Sequence, residues 1–505
     1  CIGSRMTAIA PSQATAPLVL TIDVGTSSVR ALLFDALART VEDVAAQEGY
    51  SVRSTEDGIS EIDPTAMLER VVRCIDAALA QAGPLVDAIG AVALDTLVTS
   101  FLAIDAEHQP ITPIITYADT RASAQSEQLR RELDERVAQE RTGCMLRASY
   151  WAPRLAWFRQ HEPTIWRSAA RWITLGEYLE LQLFGQGRVS YSAAAWTGLL
   201  DRRTLTWDAP LLEYLGETPE RLGELVDLDA PIQGLRSPYR ERWPKLSSVP
   251  WFPAIGDGAA ANIGSGCIGH ERMALTVGTT GAIRVAQPTV ESVPFGLWCY
   301  RVDRHLALLG GATTEGGNVY AWLRDTFRLG DAATIERELA SLPPAAHGLT
   351  ILPLLAGERS PGWAGNAKAT ISGLTLATTP IQVMQASLEA VTYRFAQIEE
   401  LMCGDPNCGH RLIASGGALL SSPTWMQMIA DALGRPVVAS AETEATSRGV
   451  ALLALRSVGA LRSLADAPAA DGAQYEPRPA LRERYREAIE QQKHLYNLLI
   501  ARQAG

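Results

Sequence analysis

Apolar residues near the start of the chain come in three short runs, LVLTI at 18–22, VRALLF at 29–34 and IGAVALD at 89–95. Each is bounded by turn-forming residues, which predicts three strands. Between the second and third, AMLERVVRCIDAALA sets Met67, Leu68, Val71, Val72, Ile75 and Leu79 near a helical period and predicts a helix over 64–82. Two more helices are predicted over 124–138 and over 172–185, where WITLGEYLELQLFG ends on a glycine. Strands mixed with helices imply a layered α/β fold.

The second half opens on the same device. ALTVGTTGAIRV at 274–285 is an apolar run, a Gly-Thr-Thr-Gly turn and an apolar run, as LVLTIDVGTSSVRALLF is at 18–34. Two such hairpins, one opening each half, suggest two like-folded lobes facing each other. The division falls near 245–256, where SSVPWFPAIG has the prolines and small residues of a linker. Later a proline precedes a helix over 381–400. Its stripe of Met384, Leu388, Val391, Phe395 and Ile398 reads as core packing.

A chain of 505 residues exceeds what one hydrophobic core organises, in keeping with two domains. With 47% hydrophobic and 20% charged residues it has the make-up of an ordinary globular protein, and a net charge of −11 argues against a general nucleic-acid surface. No apolar run is long enough to span a membrane. The opening CIGSRMTAIAPSQATAP lacks the apolar core of a signal peptide, so what precedes Met6 reads as a cloning remnant or a loose terminus. The seven cysteines (Cys1, Cys74, Cys144, Cys267, Cys299, Cys403 and Cys408) are scattered, which fits reduced thiols in a cytosolic protein better than a disulfide framework. Only Cys403, Cys408 and His410 cluster, in LMCGDPNCGH. Their spacing matches no common zinc signature, and the residues around them read as a loop, with metal binding as the alternative.

Three stretches carry candidate chemistry. In the first hairpin Gly25 frees the backbone while Thr26, Ser27 and Ser28 offer N–H and O–H donors. This is no Walker A loop, since no lysine follows, and no dinucleotide fingerprint, since the chain returns as a strand. It reads either as a plain turn or as an anion cradle, with Asp23 placed to hold magnesium through waters. In AIGDGAAANIGSGCI at 254–268, Asp257 stands between glycines at the start of a helix. It reads either as the helix N-cap or as a carboxylate aimed at a substrate hydroxyl, although a helix N-terminus lowers a carboxylate's basicity. In RLIASGGALLSSPTWMQMIADALG at 411–434, a strand ends in Ser415-Gly416-Gly417 and a helix begins near Pro423. The glycines serve either a tight strand–helix joint or a flat or anionic ligand. EATSRGVALLAL follows, with Ser447 and Gly449 on a closely packed helix.

Taken in order, these segments resemble the FGGY family of carbohydrate kinases over about residues 17–470, and within it the gluconate kinases. The resemblance rests on Asp23-Val24-Gly25-Thr26-Ser27-Ser28, on YADTRA with Asp119 and Arg121, on RTGC at 141–144 and on YSAAAWTGLLD at 191–201. It continues through GDG at 256–258, Gly278-Thr279-Thr280-Gly281, GERSPGW at 357–363 with Asn366, SGGALLSSPTWMQMIADALGRPV and EATSRG. The family implies two actin-like (ribonuclease H-like) lobes, here 17–252 and 253–490, with ATP, Mg2+ and a small-molecule sugar or sugar acid in the cleft between them. By this likeness Asp257 is the general base and Asp23 the magnesium-linked acid. Gly25, Thr26, Ser27, Ser28, Gly278 and Thr279 line the phosphates, with Arg30 as a helper. Gly416, Gly417 and Ser421 meet the nucleotide. Asp95, Thr96, Arg147, Asp257 and Gly258 are the substrate candidates.

Departures fall in the sugar pocket. Arg147 stands where a gluconate kinase is expected to have histidine, Met145 where proline is common, and Ser190 and Ala195 where Asp and Ser are usual. Arg147 reads either as a bidentate partner for a sugar-acid carboxylate or as a surface arginine. The expected reaction is ATP-dependent phosphorylation of a terminal hydroxyl, with D-gluconate giving 6-phosphogluconate. The rivals are a xylulose or other ketose or polyol kinase and, from another class, a non-catalytic sugar sensor or scaffold. A cytoplasmic protein is implied that meets neither nucleic acid nor membrane, with a homodimer as the candidate assembly.

Overall fold

The computed structural model describes residues 8–404 and 408–501. The expectation about the segment before Met6 lies outside the described residues.

In the first sheet, β2 (Leu18–Val24) and β3 (Ser28–Phe34) form the opening hairpin, and β4 (Thr40–Gly49) extends it antiparallel. β1 (Ala8–Ile9) pairs parallel with the outer edge of β4. On the other side of β2 run β5 (Ile89–Thr96) and then β6 (Ile255–Gly256), both parallel to it. The second sheet repeats the plan. β7 (Arg272–Val277) and β8 (Gly281–Gln287) make the hairpin, β10 (Ala307–Thr313) and β9 (Trp298–Arg301) extend it antiparallel, and β11 (Arg411–Ser415) and β12 (Val437–Ser440) run parallel beyond β7. β13 (Asp471–Tyr475) closes the edge antiparallel. The two like hairpins therefore open two like sheets, the two-lobed actin-like α/β arrangement expected of the chain.

α1 (Pro64–Ala82) begins where Asp63 accepts a hydrogen bond from the Ala66 amide at 2.8 Å and a proline takes the first helical position. Met67, Val71, Cys74, Ile75 and Ala78 bury against one face of the first sheet. The helix expected over 124–138 is two, α2 (Ser123–Glu132) and α3 (Glu135–Thr142), because Asp134 caps the second through the amides of Arg136 and Val137. The one expected over 172–185 starts as a strand, Arg171–Ile173, paired with Leu102–Ile104. It turns helical only as α4 (Leu175–Phe184), behind a Thr174–Glu177 capping box. α5 (Tyr191–Thr197) follows, capped by Ser190.

The proline-containing stretch before Asp257 is no free tether. Pro250 and Phe252 bond to the Val92 backbone, Trp251 and Phe252 are buried, and β6, past the expected division at 252/253, completes the first sheet. Apolar bulk holds this stretch against β5 where its composition alone reads as a linker.

α6 (Asp257–Gly264) then leads into the second half, whose helices include α7 (Gly317–Phe327), α8 (Pro380–Cys403), α9 (Pro423–Leu433) and α10 (Ala445–Ser457). The α8 stripe of Met384, Leu388, Val391, Phe395 and Ile398 is wholly buried, as expected. α10 reaches back from the second half onto the first sheet. Val450, Ala451, Leu453 and Ala454 share one core with Val19, Ala91 and Ala93 of the first sheet and Ala259, Ala260 and Ile263 of α6. α6 and α10 cross with their backbones almost touching, and a Cβ on Gly449 would run into the Ala260 carbonyl oxygen. Among the described residues no helix is long and apolar enough to cross a membrane.

The expectation of uniformly reduced thiols is corrected. Cys403 and Cys408 are joined as a disulfide, because the end of α8 and the lead-in to β11 bring their Cα atoms to 6.3 Å. Cys74, Cys144, Cys267 and Cys299 are free and buried.

Candidate active site

Three parallel strands end side by side in one register. Asp23 of β2 lies beside Asp95 of β5, which lies beside Ile255 of β6, and Val24, Thr96 and Gly256 follow in the next row. Asp257 comes immediately after that row, so three carboxylates gather at the carboxyl edge of the sheet, the edge where open α/β sheets bind ligands.

Asp257 is the first residue of α6 and not its cap. Gly256 occupies the cap position, and the Asp257 carboxylate accepts only from the adjacent Gly258 amide, at 2.7 Å. Burial pushes its acid up to about 6, with the neighbouring Asp23 adding to the rise; the Gly258 amide and Arg284 oppose it. The helix terminus is thus outweighed, and a carboxylate results that can take up a proton near neutrality.

Asp95 is fully buried and neither of its side-chain oxygens has a hydrogen-bond partner. Burial first, and Asp23 beside it second, hold its acid well above the ordinary range. Asp23, itself buried, pairs with Arg30 across the hairpin at 2.9 Å. Arg30 also reaches Glu444, at the start of α10, at 2.8 Å. The first phosphate-turn candidates thereby connect to the second half of the chain. Thr26 and Ser27 are exposed at the hairpin tip, and Tyr50 donates its hydroxyl to the Gly25 carbonyl.

The second hairpin carries its own cradle. Thr279 and Thr280 are exposed at the tip. The Gly278 and Thr279 carbonyls accept from the Gly317 and Asn318 amides at 2.8 and 3.1 Å, which seats the start of α7 against the turn. Gly416, at φ +92°, packs so closely on Val277 and Gly278 that a Cβ would meet the Val277 carbonyl. Gly417 faces open space and opens the short helix Gly417–Leu420, and Ser421 is exposed at its end.

Arg284 joins the two groups. It lies on β8, donates to Thr276 Oγ1 at 3.0 Å, and its Nη1 comes within 3.0 Å of where a Cβ on Gly258 would stand. Its Nε is buried without a partner. Trp196 of α5 borders the same glycines, stacked on Tyr300 at 3.6 Å between ring centroids, and its indole N–H has no acceptor.

Of the residues singled out in the sequence, Asp23, Gly25, Arg30, Asp95, Thr96, Asp257 and Gly258 come together around the first sheet edge. Gly278, Thr279, Gly416 and Gly417 form the second group, with Ser421 one helical turn beyond. Arg147 stands apart: it pairs with Glu135, donates to the Leu146 carbonyl at 3.1 Å and lies over the face of Trp363, and none of these contacts reaches Asp257. Arg284, Trp196 and Glu444 escaped sequence reasoning. The signals were a charge inside the apolar strand GAIRVA and an aromatic inside the small-residue run AAAWTG.

The oxygens of Asp23 and Asp95 suit a hard divalent cation, Asp95 in particular having two buried oxygens with no other partner. Flanked by two exposed donor-rich turns, the three carboxylates can accept a proton from a hydroxyl and receive a polyphosphate beside it.

Comparison with known proteins bears on what binds there. The chain matches the N-terminal domain of the FGGY family of carbohydrate kinases over residues 18–264 and the C-terminal domain over 273–458. It is 29% identical to a gluconokinase of Bacillus subtilis (strain 168) over 462 residues, 88% of each chain. Its fold is similar to that of a ligand-bound xylulose kinase from Lactobacillus acidophilus (TM-score 0.90, 25% identity, 96% of this chain and 98% of that one). A gluconate kinase from the same organism matches at TM-score 0.89, again at 25% identity and with the same coverage. Two domain matches that together span most of the sequence, on two lobes built alike, make this chain a member of the FGGY family of carbohydrate kinases.

Proposed function

We propose that this carbohydrate kinase transfers the γ-phosphoryl group of ATP to the terminal hydroxyl of an open-chain sugar acid, D-gluconate before others. The observation that carries the choice of an acid is Arg284. Its guanidinium, with an unpartnered Nε–H, stands beside Gly258, and the carboxylate of an open-chain acid that folds back toward the start of α6 while its terminal hydroxyl faces Asp257 is the partner that would satisfy it. Arg147 has an unpartnered Nε–H as well, but it is ion-paired with Glu135 and Arg284 is the one that lies beside Gly258, so we assign the carboxylate to Arg284. The likeness to a gluconokinase supports the same reading.

In the reaction, Asp257 accepts the hydroxyl proton as that oxygen bonds to the γ-phosphorus and the bond to the ADP oxygen breaks. Because such transition states are loose, the proton leaves late, and a base of about 6 suffices. Backbone and hydroxyl donors of Gly25–Ser28 and Gly278–Thr280 bear the charge of the phosphates. Asp23 and Asp95 would hold magnesium, which when bound neutralises charge on the transferring group. Trp196, stacked on Tyr300, lies against Gly256 and Gly258, the glycines on either side of Asp257.

A ketose such as D-xylulose is the second reading, supported by the xylulose kinase neighbour. The two separate in ADP release over a panel of D-gluconate, other aldonates, D-xylulose, ribulose and glycerol. Gluconate is expected to turn over selectively, and Arg284→Gln is expected to raise its KM about 100-fold while changing KM for ATP little, the scale of one charge-assisted pair. Preferential turnover of a ketose, unaffected by Arg284→Gln, would reject the acid.

A further inference from the structure

Far along the second lobe from the catalytic edge, the last turn of α8 and the lead-in to β11 bring four groups together. The ligand atoms of Glu399, Cys403, Cys408 and His410 all lie within 4.8 Å of one another. Glu399 and Cys403 are one helical turn apart on the same face of α8, and His410 is buried. A disulfide by itself needs no polar escort, since its sulfurs are weak acceptors. Here, however, the His410 Nδ1 points at both sulfurs, 3.5 Å from Cys408 Sγ and 3.9 Å from Cys403 Sγ. The other ring nitrogen lies 3.1 Å from Glu399 Oε1.

These distances have a chemical reading. Two thiolates and an imidazole around one tetrahedral zinc would place sulfur and nitrogen about 3.5 Å apart. A coordinating histidine also characteristically gives its other N–H to a carboxylate, which fixes the ring. Glu399 Oε1 stands 3.1 Å from His410 Nε2, whose N–H has no other partner among the described residues. Glu399 is held in turn by Arg435 Nε at 3.0 Å, while Arg435 Nη2 reaches Cys408 Sγ at 3.6 Å. Charge also closes: a divalent cation balances two thiolates, and Arg435 balances Glu399. Access comes from a cavity of about 360 Å³ lined by Glu399, Cys403 and Arg435, among others.

We infer that Cys403, Cys408 and His410 form a zinc site, oriented by Glu399, which is open when the cysteines are reduced and closed when they are joined. A dithiol reductant supplies two electrons and two protons to the Cys403–Cys408 bond and itself becomes a disulfide. Zinc then displaces the two sulfur protons to solvent, and water fills its fourth position. Thiolate and imidazole ligands together select zinc over magnesium, so this site does not compete for the metal proposed at Asp23. The inference is independent of which sugar the enzyme phosphorylates.

Cobalt(II) is the direct probe, because thiolate ligation in a tetrahedral field gives intense visible bands and sulfur-to-metal charge transfer that an oxygen-ligated ion lacks. The full chain would be reduced with a phosphine, freed of it, and titrated with cobalt. The expected result is about one equivalent with thiolate bands, bleached by zinc, and no such bands in the protein before reduction. Cys403→Ser/Cys408→Ser, checked for its fold by circular dichroism, is expected to lose the bands. His410→Ala keeps both thiols and is expected to bind at least about tenfold more weakly. Reduced wild-type protein showing only a weak, oxygen-ligated spectrum, the same as that of the double serine variant, would overturn the site.

Discussion

An aspartate at a helix N-terminus ordinarily holds on to its charge, whereas burial in the cleft, with Asp23 adding to it, pushes Asp257 up to about 6. The proposed base must be ionised to accept a proton, so kcat/KM for the sugar substrate should fall tenfold per pH unit below about 6, measured with Mg-ATP held saturating. Asp257→Asn should remove the base and lower kcat by more than about a thousandfold while leaving nucleotide affinity within a few-fold, read by single-turnover kinetics and nucleotide titration. The same variant should be the more stable protein at neutral pH. An acid raised from 3.8 to about 6 on folding favours the folded state fully below 3.8, and this contribution is lost as pH rises through 6. At pH 7.5 the charge on this partly buried side chain therefore opposes folding, by no more than about 3 kcal/mol, and asparagine relieves it. Urea unfolding at pH 7.5 and at pH 5 should show a gain that shrinks at the lower pH.

The helix that begins with Asp257 is positioned by the one it crosses. Gly449 lets α10 lie against the Ala260 carbonyl, so Gly449→Ala should force the two helices apart. We expect a loss of about 1–3 kcal/mol in urea unfolding and a fall in kcat larger than any change in KM for ATP, since the start of α6 carries the base and the second hairpin does not. Elements governed by one strong periodicity were legible from the residues alone: both hairpins, α1 behind its Asp63-Pro64 start, and the buried stripe of α8. The single helix expected over 124–138 was not, because α2 and α3 share one polar composition and only the Asp134 cap separates them. Asp23, Asp257 and the glycine turns stood out because their chemistry is local and ordered along the chain. Arg284, Trp196 and the Arg30–Glu444 pair did not, since tertiary packing alone brings them to the carboxylates. Arg147 reads from sequence either as a carboxylate partner or as a surface arginine, and its ion pair with Glu135 of α3 is a tertiary contact that the local motif does not carry.

The lobes are like-folded but not self-sufficient. The first sheet has α1 on one face, while the face carrying Val19, Ala91 and Ala93 is covered by α6 and by α10, and α10 is drawn from the far end of the second half. A chain ending at residue 440 would leave that face and α6 exposed to water along a contiguous apolar surface. Such a truncation should bind a hydrophobic dye and be cut by protease within the first half, whereas the full chain should resist both and unfold in one transition. Domain matches that part the sequence at about residue 270 therefore describe ancestry better than mechanics, because the two halves share a core.

That shared core sets an order of events during synthesis. The helix that begins with the proposed base, α6, is translated well before α10, the helix that clamps it, which follows only after the second hairpin and α7 to α9. Until then a growing chain can show its phosphate turns and yet lack a seated base. A product interrupted before that helix is thereby silent, and the ability to phosphorylate certifies that the message was read at least through α10.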